Sequence, residues 1–308
     1  MRKQLKGGFY FALPQYLCIM YTSTRLYYGQ HKVKVTKKNS SSECTIYPLY
    51  SSTYPYQRIW MSNALCYNVR EYLWQQTHKR ERPGEREHMS NIIDEKEIPM
   101  VACITVGMFQ ENCYIYACPQ TREAVIIDPG DEAERILAKI EELKIIPKYI
   151  LNTHGHIDHI CAIDAVSAIY PVPLAIHPDD VYMYTDERAA RNFGRRAPLV
   201  KRKPDILLKE GDSIRFGTLA LEVLHTPGHT RGGVCFVSRP FCVFSGDTLF
   251  NRSIGRTDLE GGNYEQLVQS IQKKLYSLED DLVVFAGHGE PTTIIEEKHE
   301  NPFVNVEE

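Results

Sequence analysis

From Ile98 onward the apolar and polar positions fall into short runs with clear periods. Val101–Val106, Cys113–Cys118, Ala124–Asp128, Tyr149–Thr153, Leu174–His177, Leu219–Leu224, Val234–Ser238, Cys242–Ser245 and Leu282–Ala286 read as strands. Glu132–Leu143, Ile157–Tyr170 and Tyr264–Leu278 read as helices. In the last, Leu267, Val268, Ile271, Leu275 and Leu278 make one apolar stripe. The early strands arrive as meanders, and helices come between the later ones. This order predicts an α/β (α+β) fold of two stacked sheets flanked by helices, rather than a simple doubly wound sheet. No internal repeat of fixed period is visible.

The first 97 residues follow different rules. Residues 1–57 hold no sustained period of 3.6 or of 2, and Ser40-Ser41-Ser42 interrupts them. Ile59 to Trp74 fits one short helix. His78–His88 (HKRERPGEREH) is a charge run broken by Pro83-Gly84 and reads as a solvated linker. Arg2, Lys3 and Lys6 ahead of Phe9–Leu13 resemble a secretory signal, but Pro14-Gln15 breaks the run and no small-residue cleavage site follows. A start at Met89, or a dispensable arm, is the simpler expectation. The chain therefore divides into an N-terminal extension, 1–97, of low structure or disordered, and a globular domain, 98–308.

Charge sharpens that division. Lys+Arg against Asp+Glu is 15 to 8 over residues 1–97 and 21 to 31 over the remainder. The whole chain carries only −3, which gives no pull toward nucleic acid or an anionic membrane. No stretch approaches the roughly 18 apolar residues of a spanning helix. Nine cysteines without a CxxC pair are too few for a disulfide scaffold and fit reduced thiols in the cytoplasm.

The chemistry concentrates in Thr153-His154-Gly155-His156-Ile157-Asp158-His159, directly after the apolar strand Tyr149–Asn152. Four potential ligands crowd into six residues. A regular strand would send His154 and His156 to one face but could not aim Asp158 and His159 beside them; a strand-to-helix turn can. Left unpaired, such a group would cost several kcal/mol in desolvation. Three further candidates each follow an apolar strand: His229 in TPGHT, Asp247 in SGDT and His288 in GHG. Each alone is ordinary turn chemistry, but together with the first motif they make seven ligands, a dinuclear count. His154, His156 and His229 would hold one cation; Asp158, His159 and His288 the other; Asp247 would bridge them. Imidazoles and carboxylates suit zinc, and also iron or manganese. Two cations about 3.5–4 Å apart leave room for a bridging water that serves as the nucleophile once ionised. Asp158 and Asp247 are thus the catalytic carboxylates.

These motifs, in this order, resemble the metallo-β-lactamase fold superfamily. Asp128-Pro129-Gly130, Gly246–Phe250 and Gly255-Arg256-Thr257-Asp258 resemble its glyoxalase II (hydroxyacylglutathione hydrolase) branch, most closely the short bacterial members, over roughly residues 98–303. The resemblance implies a four-layer αβ/βα sandwich, two metal ions on one edge, and hydrolysis of a thioester of glutathione. It also implies that Asp128 supports a ligand from behind; a plain Asp-Pro-Gly turn is the equal alternative. Full-length glyoxalase II carries a C-terminal helical region that supplies most glutathione contacts, and here only 20 residues follow His288, so the resemblance carries over no glutathione-binding residue. Arg231 stands where a proline is common after GHT. A persulfide dioxygenase on the same scaffold is the alternative, with one iron on His154, His229 and Asp247. A thiolate leaves readily without a dedicated acid, which matches a site offering none.

Smaller signals remain. Arg256 can orient a substrate carboxylate or pin a loop. The basic stretch Thr185–Pro204, with Arg195 and Arg196, can attract an anionic substrate or simply be solvated. His177 and His225 read as packing residues rather than ligands, and His299 as a surface residue.

Overall fold

The computed structural model describes residues 98–186 and 199–304, and the backbone of six short strands before them. The chain divides into two units, Met1–Gln57 and Arg58–Glu308. In the first, Tyr10–Leu13 pairs with Tyr16–Ile19, and Arg25–Tyr28, His31–Lys37 and Cys44–Pro48 form a three-stranded meander. The expected disordered extension covers 1–97, and apart from these strands and Leu65–Tyr67 that span lies outside the described residues.

In the second unit the strands, numbered from Met100, form two sheets. The first holds β1 (Met100–Val106), β2 (Glu111–Ala117), β3 (Glu123–Ile127), β4 (Ile146–Leu151), β5 (Leu174–Ile176) and β6 (Ile206–Leu207), side by side in that order. Of the span Ile59–Trp74, expected as a helix, the described residues Leu65–Tyr67 form a strand, which pairs antiparallel with the edge of β1 and takes up ladder hydrogen bonds that edge would otherwise leave open, while the rest of that span lies outside the described residues. The second sheet runs β7 (Ser213–Phe216), β8 (Leu219–His225), β9 (Val234–Ser238), β10 (Cys242–Gly246), β13 (Val283–Ala286), β14 (Thr292–Thr293). A two-stranded ribbon, β11 (Leu249–Phe250) and β12 (Ser253–Ile254), lies between β10 and β13 in sequence.

Alternation within each strand explains the layering. Tyr114, Tyr116, Val125 and Ile127 face Val223, Phe236, Phe244 and Phe285 across the space between the sheets. Their sequence neighbours Ile115, Ala124 and Ile126 face the other way, onto Ile136 and Ile140 of α1 (Ala133–Leu143) and Ile163 and Val166 of α2 (Ile163–Ile169). On the far side, Val243 and Val284 meet Leu267 of α3 (Tyr264–Ser270) and Ile294 of α4 (Ile294–Glu300). Strands covered on both faces read as nearly continuous apolar runs. The expected order of helix, sheet, sheet, helix is the one observed.

Two expected helices differ in detail. Ile157–Tyr170 divides into a single 3-10 turn, Ile157–His159, and α2. Ala162 N–H bonds to Pro129 O instead of continuing a helix, and His159 O accepts from Asn152 Nδ2, so the backbone between is committed elsewhere. Tyr264–Leu278 starts at Asn263, whose Oδ1 caps Gln266 N–H, and widens into a π-type segment over Ile271–Leu275. Leu267, Ile271, Leu275 and Leu278 of the stripe are buried and Val268 is half-buried at its edge. The strands β6, β7, β11, β12 and β14 escaped the periodicity because most are two residues long.

Strand direction places the chemistry. β3, β4 and β5 run parallel, as do β10 and β13, so their carboxyl ends lie together within each sheet. Asp128, the THGHIDH turn, Asp247 and His288 all follow these ends. The sheets are stitched there by Val234 N–H to Thr153 O, 2.8 Å, and Asn112 N–H to Gly287 O, 2.8 Å.

Phe285 packs between Tyr114 and Phe244 with ring centroids 5.6 and 5.5 Å away and is 1% exposed. Phe285→Ala is expected to cost about 3–5 kcal/mol by denaturant titration. Ile169→Ala, at a position 61% exposed, should stay within about 0.5 kcal/mol of the parent.

Candidate metal centre

The THGHIDH turn is held from two sides. Asp128 stands at the end of β3 with φ +51°, a left-handed conformation that aspartate tolerates better than most residues. Its Oδ1 accepts from Thr153 N–H, 2.7 Å, and its Oδ2 from the Thr153 hydroxyl, 2.6 Å, and from His159 Nδ1, 3.0 Å. Both roles open to Asp128 are therefore present: it turns the chain and it orients His159. On the other side, the buried carboxylate of Asp180 accepts from Gly155 N–H, 3.1 Å, the Thr230 hydroxyl, 2.7 Å, and Gly232 N–H, 2.7 Å. It ties the turn carrying His154 and His156 to the loop carrying His229.

The seven residues singled out come together. His154, His156 and His229 form one group and Asp158, His159 and His288 another, with donor atoms within 4.8 Å of each other in each group. Asp247 lies between them: Oδ2 is 3.5 Å from His229 Nε2 and 3.6 Å from His288 Nε2, and Oδ1 is 3.4 Å from His159 Nε2. His288 Nε2 is 3.4 Å from Asp158 Oδ2. Two donors about 2.0–2.1 Å from one cation at a tetrahedral angle stand about 3.4 Å apart. These separations match.

Imidazole orientation makes the same point. The rings of His154, His156 and His229 stand at 79–88° to one another with centroids 4.6–4.8 Å apart, so their edges rather than their faces meet. Four of the five histidines commit Nδ1 to protein oxygen. Those oxygens are Thr153 Oγ1 for His154, Asp128 for His159, Arg256 O for His229 and Phe109 O for His288. Thr153 gives its own proton to Asp128, so it must accept from His154. Nε2 is then the free lone pair in each, and a partner on the far nitrogen is how ligating histidines are held. His156 is the exception, with Nδ1 2.8 Å from His229 Nε2. His154 Nε2, His159 Nε2 and Asp247 Oδ1 are buried without any hydrogen-bond partner. Buried polar atoms are rarely left so, and these three point into the same space. The donor set fits a cation pair.

Electrostatics agree. Burial, with repulsion from the neighbouring imidazoles, pushes His154 well below the usual histidine range and His156 down to about 3, leaving both neutral and able to donate a lone pair. For Asp247, burial favours the neutral acid, but His159, His229 and His154 outweigh it and hold the carboxyl well below its ordinary value. For His159, burial opposes charge and is overcome by Asp247, Asp158 and Asp128.

Two participants have no signature in the sequence. Asp180 sits in an unremarkable Pro-Asp-Asp turn. Glu111, 1% exposed, has both oxygens without a partner and Oε1 3.7 Å from His159 Nδ1. Burial raises its carboxyl well above the usual range. Arg256 lies at the site through its carbonyl, while its guanidinium grips Asp258 at 2.8 and 2.7 Å. A substrate carboxylate would have to compete with that bond. The basic stretch falls largely on residues 187–198, outside the described residues; Arg202, beyond them, bonds Asp205. His177 and His225 approach each other, with Asp179, but their rings are stacked, 9° apart at 4.2 Å. Parallel rings carry parallel lone pairs, which do not meet at one cation.

The model of the Metallo-beta-lactamase superfamily matches residues 106–288, a span that includes all seven residues. The chain belongs to the metallo-beta-lactamase superfamily. Within the superfamily it is glyoxalase II-like: hydroxyacylglutathione hydrolase GloC of Haemophilus influenzae is 40% identical over 210 residues, covering 67% of this chain and 98% of that protein. Among solved structures, the BLEG-1 B3 metallo-beta-lactamase superposes with TM-score 0.63 at 38% identity, over 67% of this chain and 99% of its own. TTHA1623 in a di-iron-bound form gives 0.60 at 38%, over 65% and 98%.

Asp128→Ala would leave Thr153 N–H and His159 Nδ1 without their acceptor. Metal affinity, measured by competition with a chromophoric chelator, is expected to fall about 10–100-fold.

Proposed function

We propose that this member of the metallo-beta-lactamase superfamily is a dinuclear hydrolase that cleaves a small-molecule thioester of the hydroxyacylglutathione type. The observation that carries the reading is Asp247, whose carboxylate lies between two sets of three ligands, Oδ2 against His229 of one and His288 of the other, and Oδ1 against His159 of the second. His154, His156 and His229 would hold one cation, Asp158, His159 and His288 the second, and Asp247 both. Zinc suits five imidazoles and two carboxylates best; iron and manganese accept the same donors. When bound, such a pair acidifies a water and polarises a carbonyl oxygen.

The chain's own residues do the rest. Asp128, Thr153 and the Arg256 and Phe109 carbonyls fix imidazole orientation, so little reorganisation remains when the cations enter. His154 and His159 are closed off from water, whereas the His288 side chain is 28% exposed and that of Asp158 14%. Substrate therefore approaches from the Asp158–His288 side. A thiolate leaving group asks for no proton donor, and the seven residues provide none once engaged with cations. Likeness to GloC supports the thioester over other acyl groups. The six described cysteines are free thiols, which accords with a cytoplasmic setting. No helix among the described residues is long and apolar enough to cross a membrane.

Metal analysis and turnover of one purified sample test the reading. Two metal ions per chain with hydrolysis of S-lactoylglutathione, lost on chelation and regained on reloading, is the expected result. One iron per chain with oxygen uptake on glutathione persulfide would overturn it, as would a marked preference for a β-lactam. His159→Ala should abolish hydrolysis; a merely impaired enzyme would favour the one-iron dioxygenase, whose ligands would be His154, His229 and Asp247.

A further inference from the structure

We propose that Arg231 anchors a carboxylate of the thiol carrier, and so sets which thioester the site accepts; this rests on the thioester reading above. Arg231 is exposed and makes no ion pair among the described residues, whereas Arg202, Arg239, Arg252 and Arg256 are each matched to a carboxylate. Glu260, exposed on the neighbouring loop, does not pair with it.

The arginine is nonetheless held in place. Its carbonyl accepts from His225 Nε2, 2.9 Å, and His225 is itself stacked on His177. Gly232 N–H, on its other side, is bound by the buried Asp180. Its side chain lies across Gly261: a Cβ there would stand 3.3 Å from Arg231 Cγ and 3.7 Å from Nε. Gly261 has φ +86°, which leaves a bare backbone surface for that stem. A backbone pinned at both ends and a supported stem reduce the entropy lost when the guanidinium takes a ligand.

Its position suits the far end of a substrate. Arg231 is two residues beyond His229, a chain span of at most about 7 Å. Gly261 belongs to the loop that closes over His229, where Arg256 O accepts from His229 Nδ1 and Gly255 comes close enough that a Cβ would sit 3.0 Å from that nitrogen. The thioester carbonyl must lie at the cations. A cation at the rim of the same loop then meets the carrier rather than the acyl group. A planar guanidinium with unpaired donors selects a carboxylate, bidentately.

The test compares parent, Arg231→Ala and Arg231→Lys on S-lactoylglutathione and on S-lactoyl-N-acetylcysteamine, whose carrier is uncharged. Metal content is measured on each protein. The preference in kcat/KM for the glutathione ester is expected to fall about tenfold in Arg231→Ala, through KM rather than kcat, and to be partly restored by lysine. A preference that does not move overturns the proposal. If the parent cleaves neither ester, the thioester reading fails. The anchor is then judged by calorimetric titration with S-methylglutathione: about tenfold weaker binding in Arg231→Ala sustains it, and equal or absent binding removes it.

Discussion

Four imidazoles, His154, His156, His159 and His229, are withdrawn from water where two apolar sheets end, with Asp158, Asp247 and His288 half-buried beside them, and the cost of that withdrawal is the constraint on which the rest of the structure depends. Each polar atom there must find a partner. The chain supplies partners for the outward nitrogen of four histidines and for the backbone around them, and leaves His154 Nε2, His159 Nε2 and Asp247 Oδ1 with none. A core that satisfies the periphery of a site and turns the unpartnered atoms of its centre toward one another is shaped to receive cations.

The supporting residues follow from that constraint. Asp128 and Asp180 are buried carboxylates that bind backbone N–H groups from different segments. Each converts loops that would otherwise move independently into one frame. Close approach does the same work: a Cβ on Gly130 would stand 1.7 Å from Asp158 O, so the Asp-Pro-Gly turn packs directly against the second group of ligands. Glu111 sits behind His159 as a buried acid whose carboxyl oxygens find no partner.

Much of this was legible from residue order. Apolar runs covered on both faces mark strands whatever they pack against, and the crowding of His154, His156, Asp158 and His159 after one of them has few other physical explanations. Legibility failed where a residue's role depends on what lies opposite. Asp180 and Glu111 belong to turns and strand starts with no local pattern. The helix expected across Ile157–Tyr170 was interrupted because Pro129, some thirty residues earlier, and the Asn152 side chain, seven residues before His159, took its hydrogen bonds. Ser213–Phe216 and the two-residue strands carried too few positions to show a period.

By itself, the sequence determined that two sheets would be layered with helices, that a set of imidazoles and carboxylates would follow strand ends, and which residues those are. These are properties of neighbours along the chain, where a period of two or a cluster of ligands is visible without knowing the partner. Only the tertiary structure decided that parallel strands bring those ends to one seam, that Asp247 faces both groups, that Arg256 spends its charge on Asp258 while Arg231 keeps its own, and that the His177 and His225 rings stack instead of converging. Those outcomes turn on directions and separations across the fold, set by packing two sheets face to face, and no local pattern encodes them.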